Sequence, residues 1–393
     1  MDVKAPTDLA KIYRDRFSVF NTLNYVNSCS QGALADTVKE SFTEYLNTME
    51  VYGSAWADWA GYQEKTRAAV AEFFKVSTHE IAITTSVSAA ISSVASSLDF
   101  THKRKKIILT ENEFPTAGQN WHAQTLRGAI VLHAPKNEDL TVNMTELIKM
   151  FDEDTALVCI AHMNFRNGVL TELAPIIEAA HKVGALIMID AYQSVGNVVI
   201  DLDDLKPDFL VGGALKYLLG TPGVGFLYAR GETTKHLIPT STGWFAARDI
   251  FAMDIHAYDP ASDARRFESG TPSVPSLYPA VAGLKIINEI GIQAIVDYVR
   301  PLHEEIRAGI EDIGGLVVTP KDPLKHGAML AVASRDENAH VAALQELKVI
   351  TSSRDGNIRV SPHFYNNRDD VAAIISAFKK TKHFLRNYTV LPL

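Results

Sequence analysis

Between about residue 66 and residue 230 the chain repeats one pattern, in which apolar runs of four to seven residues alternate with stretches whose apolar positions have helical spacing. The runs fall at residues 81–84, 106–110, 129–133, 156–161, 185–190, 209–212 and 225–228. A strand covered on both faces reads as a continuous apolar run, and strands joined by helical crossovers lie parallel in one sheet. The pattern therefore predicts an α/β domain, with a mainly parallel central sheet between layers of helices. Two of the crossover helices are expected at 143–150 and at 171–183, the latter with Pro175 in its first turn and Gly184 just past its end.

After residue 240 the pattern changes. A loop-like region carrying Gly243, Pro260, Gly270, Pro272 and Pro275 leads into a long helix at 276–290 that stops at Gly291, and a second helix follows at 292–313. Strands are expected near 316–319, 328–333 and 358–361, with helices at 338–347 and 369–385, which together describe a smaller α+β domain. A length of 393 residues exceeds the roughly 250–300 that one core supports, so two domains are expected. The reading is an N-terminal segment 1–20 packing with the small domain, a large domain at 21–260 and a small C-terminal domain at 261–393.

Composition narrows the function. The formal charge of −8 arises from 38 basic and 46 acidic side chains spread along the chain, without the basic stripe that displaces counterions from nucleic acid. The one dense basic run, 102–106, reads as a solvated loop. No run approaches the 18 or so apolar residues that span a bilayer, and residues 1–16 lack the apolar centre of a signal peptide, so neither nucleic acid nor membrane is an expected partner and the chain is expected in the cytoplasm. Two cysteines, Cys29 and Cys159, exclude a disulfide framework. The 13 histidines have no ligand spacing with cysteine or acidic partners, so no metal site is expected.

Two residues carry chemical meaning. Lys216 stands between the apolar run 209–212 and the glycine-rich turn 220–225; an amine set among apolar residues loses hydration and titrates at lower pH, which frees it as a nucleophile. Alone it reads equally well as a surface lysine beside a tight turn, and the glycines do not match a dinucleotide fingerprint. Asp190 ends the run 185–190, at the strand edge where open α/β sheets bind ligands, although a carboxylate there also serves as a helix cap. A lysine and a strand-end carboxylate together suit pyridoxal phosphate, which needs an anchoring amine and an acid facing its pyridine nitrogen.

These segments resemble the class V branch of fold-type I pyridoxal-phosphate enzymes, which includes kynureninase, cysteine desulfurases, isopenicillin N epimerase and several aminotransferases. The likeness runs from about residue 27 to 384 and implies the fold-type I transferase architecture, pyridoxal 5'-phosphate bound as a Schiff base to Lys216, and a homodimer with active sites at its interface. By the same resemblance Asp190 pairs with the pyridine nitrogen, Gln193 donates to the phenolic oxygen, and Ser86, Val87 and Ser88 hold the phosphate. Phe114, in Glu113-Phe-Pro-Thr116, stacks on the ring. Asn164, in the loop 162–168, touches the cofactor, and Thr271, in Gly270-Thr-Pro272, crosses the dimer to the other subunit's phosphate. Arg359 forks onto the carboxylate of a small amino-acid substrate, with Arg354 a weaker candidate, and Trp244 frames the side chain.

The resemblance has gaps. Cysteine desulfurases carry a cysteine in the stretch that corresponds to 349–356, and this chain has none there; Leu215 stands where desulfurases have histidine and kynureninases tyrosine. Ala117 replaces the acidic residue that follows the Phe-Pro-Thr of kynureninases. The expectation is an enzyme that forms a Cα carbanion from an amino acid, most naturally a lyase acting by β-elimination or by kynureninase-like Cβ–Cγ cleavage. The alternatives are a class V aminotransferase, an epimerase, or an inactive relative used as a binding partner.

Overall fold

The computed structural model describes residues 8–387; the outer parts of the segments expected at 1–20 and 261–393, namely residues 1–7 and 388–393, lie outside the described residues. Its centre is a seven-stranded sheet built from Ile81–Thr84 (β1), Lys106–Thr110 (β2), Ile130–Ala134 (β3), Thr155–Ala161 (β4), Leu186–Asp190 (β5), Phe209–Gly213 (β6) and Gly225–Ala229 (β7). The spatial order is β1-β7-β6-β5-β4-β2-β3. The pairs from β6 to β3 are parallel, while β7 runs antiparallel to both β6 and β1. This is the α/β arrangement, with a mainly parallel central sheet, that the alternating apolar runs imply. All seven runs are strands, and β7 turns back because the short link from β6 contains no crossover helix.

Every residue of β1, β6 and β7 is buried, as a sheet covered on both faces requires. One face packs under helices that include Val274–Ile290 and Trp56–Phe74, the other under Val87–Ser96 and Pro115–Ala123. The carboxyl ends of the parallel strands, Thr110, Ala161, Asp190 and Gly213, reach one edge, and the loops that leave them make one surface.

The C-terminal part builds its own sheet, in which Leu330–Ala333 (β8), Ser352–Arg354 (β9) and Asn357–Val360 (β10) are antiparallel in the order β9-β10-β8. The strand expected at 316–319 forms only an isolated bridge, Val317 to Val332. Thr319 breaks the ladder there, because its Oγ1 accepts the Ala331 amide at 2.9 Å and donates to the Asn167 carbonyl at 2.6 Å. Near the start of the chain Arg14 donates to Asp370 at 2.6 Å, and Asn24–Tyr25 pairs with Val349–Ile350, so the two ends of the chain are stitched together. Among the described residues no single helix is long and apolar enough to cross a membrane, and no group of three or more metal-ligating side chains occurs.

Candidate active site

At the carboxyl edge of the sheet lies a cleft of about 260 Å³ lined by Ser86, Val87, Ser88, Phe114, Asp190, Gln193 and Lys216 among others. They come from the carboxyl ends of four strands: Ser86, Val87 and Ser88 follow β1, Phe114 follows β2, Asp190 and Gln193 belong to the end of β5, and Lys216 follows β6. Lys216 follows β6, and its loop is clamped from two sides: a Cβ at Gly32 would stand 2.4 Å from the Lys216 carbonyl oxygen, and one at Gly283 would stand 2.4 Å from that of Leu218. The turn passes through Leu219 at φ 63°, a left-handed conformation that a branched side chain adopts at a cost of about 1–2 kcal/mol. The lysine is therefore held by backbone contact and does not swing on a free loop.

Its electrostatics fit an amine that must lose a proton. Burial lowers the Lys216 pKa to about 8, with the charges of Arg359 and Arg354 acting in the same direction and Cys29 and Asp190 against it. The ammonium lies 4.5 Å from the centre of the Tyr192 ring, a face that also favours the cation. Asp190 is buried, and burial raises its pKa while the Tyr192 amide, donating at 2.9 Å, and the Lys216 charge pull it down. Lys216 and Asp190 thus share one cleft and each is felt in the other's titration.

The loop after β1 enters the helix Val87–Ser96, with Ser86 as its cap accepting from the Ala89 amide at 3.1 Å. Gly225 on β7 lets this loop lie close, since a Cβ there would be 2.6 Å from the Ser86 carbonyl carbon. Amides at a helix start attract an anion. Phe114 is half exposed over the cleft and meets Phe165 edge to face at 5.0 Å. Gln193 donates through Nε2 to the Cys29 carbonyl at 3.2 Å, while its Oε1 is buried with no hydrogen-bond partner among the described residues.

Arg359 is buried behind this wall. Its guanidinium donates to Ser352 Oγ at 2.9 and 3.2 Å and to the Phe165 carbonyl at 3.1 Å, so the fork is already oriented. Arg359 and Arg354 are not among the residues that line the cleft, and neither are three other sequence-predicted residues. Asn164 is turned into its own loop, accepting from the Arg166 amide at 2.9 Å, while its neighbours Met163 and Phe165 do line it. Thr271 is exposed and accepts from the Trp244 indole at 3.3 Å, and Trp244 packs against Trp56 and Phe245. Lining residues that the sequence did not single out are Thr116, Ala161, Met163, Phe165, Tyr192 and Leu215. Tyr192 had a signal, two residues beyond the strand-end carboxylate; Met163 and Phe165 sit in a loop whose path no spacing encodes.

A parallel sheet carrying a desolvated lysine and a buried carboxylate at its carboxyl edge is the frame of a fold-type I pyridoxal-phosphate enzyme. Residues 31–374 match the family Aminotransferase class-V, and the chain belongs to that family. An uncharacterized aminotransferase of Bacillus subtilis, YcbU, is 34% identical over 95% of this chain and 99% of its own. Kynureninase of Geobacillus thermodenitrificans is 25% identical over 95% and 91%, and a probable cysteine desulfurase of Pyrococcus abyssi 26% over 82% and 84%. Among solved structures, the cystine C-S lyase C-DES in complex with cysteine persulfide superposes with a TM-score of 0.85 at 21% identity, covering 94% of this chain and all of that one. The cysteine desulfurase of Thermococcus onnurineus does so at 0.84 and 22%, over 94% and 97%. The cofactor is pyridoxal 5'-phosphate. The cleft fits it: the loop at Ser86 is cradled where a Cβ on Gly225 would collide, and the unpartnered Gln193 Oε1 is a polar atom left for something other than protein.

Proposed function

We propose that this chain is a pyridoxal-phosphate lyase acting on a small amino acid, and the observation that carries the reading is the convergence of Lys216 and Asp190 on one cleft. Lys216 would anchor the cofactor, Asp190 would face the pyridine nitrogen, Phe114 would cover the ring, Gln193 would meet the phenolic side, and Ser86, Val87 and Ser88 would hold the phosphate. When bound, the cofactor supplies an electron sink for bonds at the substrate's Cα. Arg359 holds the substrate carboxylate by two parallel hydrogen bonds and so fixes which Cα bond faces the base. With a substrate in the cleft, the Lys216 Nζ would take the Cα proton, an assignment favoured by an amine poised near neutrality.

A lyase, acting by β-elimination or by kynureninase-like Cβ–Cγ cleavage, is preferred because the Glu113-Phe-Pro-Thr116 and 162–168 loops resemble kynureninase and residues 349–356 offer no persulfide cysteine. Transamination is the second reading, favoured by the 34% identity to an uncharacterized aminotransferase. The test has two parts. Borohydride should fix the cofactor covalently to Lys216, and a Lys216→Ala protein that still retains it after reduction overturns the anchor. A screen of amino acids without any keto-acid acceptor should then turn over many times, giving keto acid and ammonia if the reaction is β-elimination and a shortened amino acid if it is Cβ–Cγ cleavage; product that appears only when an acceptor is added refutes the lyase and selects the transaminase. We further propose a homodimer in which Thr271 completes the other subunit's phosphate site. That would account for its exposure outside this cleft and for the exposed Leu46, Met49, Val51 and Tyr52 on one helix.

A further inference from the structure

Glu113 directly precedes Phe114, yet the two side chains part company: Phe114 turns to the cleft, and Glu113 is 93% shielded behind it, being only 7% exposed. Its Oε1 accepts from the Thr110 hydroxyl at 2.6 Å, and its Oε2 is buried with no hydrogen-bond partner among the described residues. The groups facing it are the Ala161 amide and the Cys159 thiol from β4, Asp190 from β5 and Thr110 from β2. Trp121, on the helix Pro115–Ala123, turns its indole N–H to the same Cys159 thiol. Ala161 stands opposite Asp190 in the ladder, so a carboxyl at the Ala161 amide lies about one strand spacing, roughly 5 Å, from the Asp190 strand.

We propose that Glu113 is a positioning residue that sets the proton affinity of Asp190 and, through it, of the cofactor's ring nitrogen. While Glu113 keeps its proton it contributes no charge, and Asp190 is left as the single anion of the pair. When Glu113 loses its proton to solvent a second negative charge appears beside Asp190, and the proton shared between Asp190 and the ring nitrogen is held more tightly. Burial pushes the Glu113 pKa up to about 8, with the Asp190 charge acting in the same direction, so the change would fall in the alkaline range. The size follows from Coulomb's law: unit charges roughly 5–10 Å apart at an effective dielectric near 20 shift a proton affinity by at least about tenfold, one pH unit.

The proposal rests on Asp190 facing the pyridine nitrogen, and the experiment separates the two. Holoprotein is prepared with cofactor labelled by ¹⁵N in its ring, and the ring-nitrogen chemical shift is followed against pH in wild type, Glu113→Gln and Asp190→Asn. The expected result is that the nitrogen loses its proton about one pH unit lower in Glu113→Gln than in wild type, with the cofactor still fixed to Lys216 by borohydride. Superposing curves for wild type and Glu113→Gln, with Asp190→Asn strongly altered, overturn the role of Glu113 and leave the functional reading intact. A ring nitrogen indifferent to Asp190→Asn overturns that reading itself. Should Glu113→Gln fold poorly, infrared spectra of wild type alone decide: a protonated buried carboxyl band present at pH 6.5 and lost near pH 8 is required, and its absence refutes the proposal.

Discussion

Glu268 anchors the segment that runs into Thr271, and removing it should unfold the protein far more readily than removing a surface charge. Its Oε1 accepts from Arg67 at 2.5 Å and from the Ile83 amide at 2.7 Å, and its Oε2 from Gln63 at 2.6 Å. The side chains of Arg67 and Glu268 are only 3% and 2% exposed, so little water is available to replace the lost bonds. Breaking such a pair from one side costs about 3–5 kcal/mol, because the remaining charge stays buried. Arg67 would keep the Ile81 carbonyl at 2.6 Å and the exposed Glu64 at 3.0 Å, which places Glu268→Ala at the lower end, about 3 kcal/mol or two decades in the folding constant. Urea denaturation followed by circular dichroism measures this. The matched control is Asp259→Asn, whose partner Arg248 lies at 2.9 Å but whose pair is 60% exposed on both sides, so its midpoint should not move. If Glu268→Ala and Asp259→Asn had midpoints that agreed within scatter, the argument that burial and not ion-pair geometry decides the cost would be wrong.

Three further perturbations test the cleft. Lys216 has a folded pKa of about 8 against 10.5 in the open chain, so the unfolded state binds more protons between those values and apoprotein stability should rise with pH across that window. Lys216→Met apoprotein should accordingly be more stable than wild type at pH 7 by about 2 kcal/mol after allowance for partial exposure, a gain that thermal melts should find gone above pH 10.5. Arg359→Lys loses the planar fork held by Ser352 and Phe165, and should raise KM for the amino acid about tenfold or more while leaving the bound cofactor's absorbance unchanged; an altered spectrum with normal KM would assign Arg359 to the cofactor instead. Gly32→Ala places a methyl 2.4 Å from the Lys216 carbonyl, so cofactor affinity should fall, and a dissociation constant equal to wild type would mean that the clamp does not position the lysine.

The large sheet was legible because its strands are buried on both faces and therefore announce themselves as unbroken apolar runs; each of the seven is found within a residue or so of its expected place. The C-terminal region was harder for a physical reason. Its strands are short and two of the three lie at the edges of their sheet: Ser352–Arg354 is partly exposed and polar, and the 316–319 run is diverted by a threonine side chain that takes a backbone's place. The helix Asp36–Tyr52 left little trace, since only Val38 and Ser41 are buried along its 17 residues and its apolar side chains stay outside. Patterning reports burial, and it is silent where apolar residues stay exposed.

The same distinction explains which site residues could be read. Asp190 and Lys216 are ends of apolar runs, and a polar group that interrupts burial at a strand terminus is conspicuous in any sequence. Tyr192, Met163 and Phe165 enter the cleft from turns, where the direction of a side chain depends on hydrogen bonds such as Asn164 to the Arg166 amide that spacing does not encode. Glu113 carries no signal of its own beside Phe114, because a carboxylate in a polar loop looks solvated until the fold closes over it. Its burial with one oxygen unpartnered is created by three strands meeting, at Thr110, Ala161 and Asp190, and therefore exists only in the assembled sheet. Strand-end chemistry is local and can be read along the chain. The titration that the surroundings impose on it is a property of the fold.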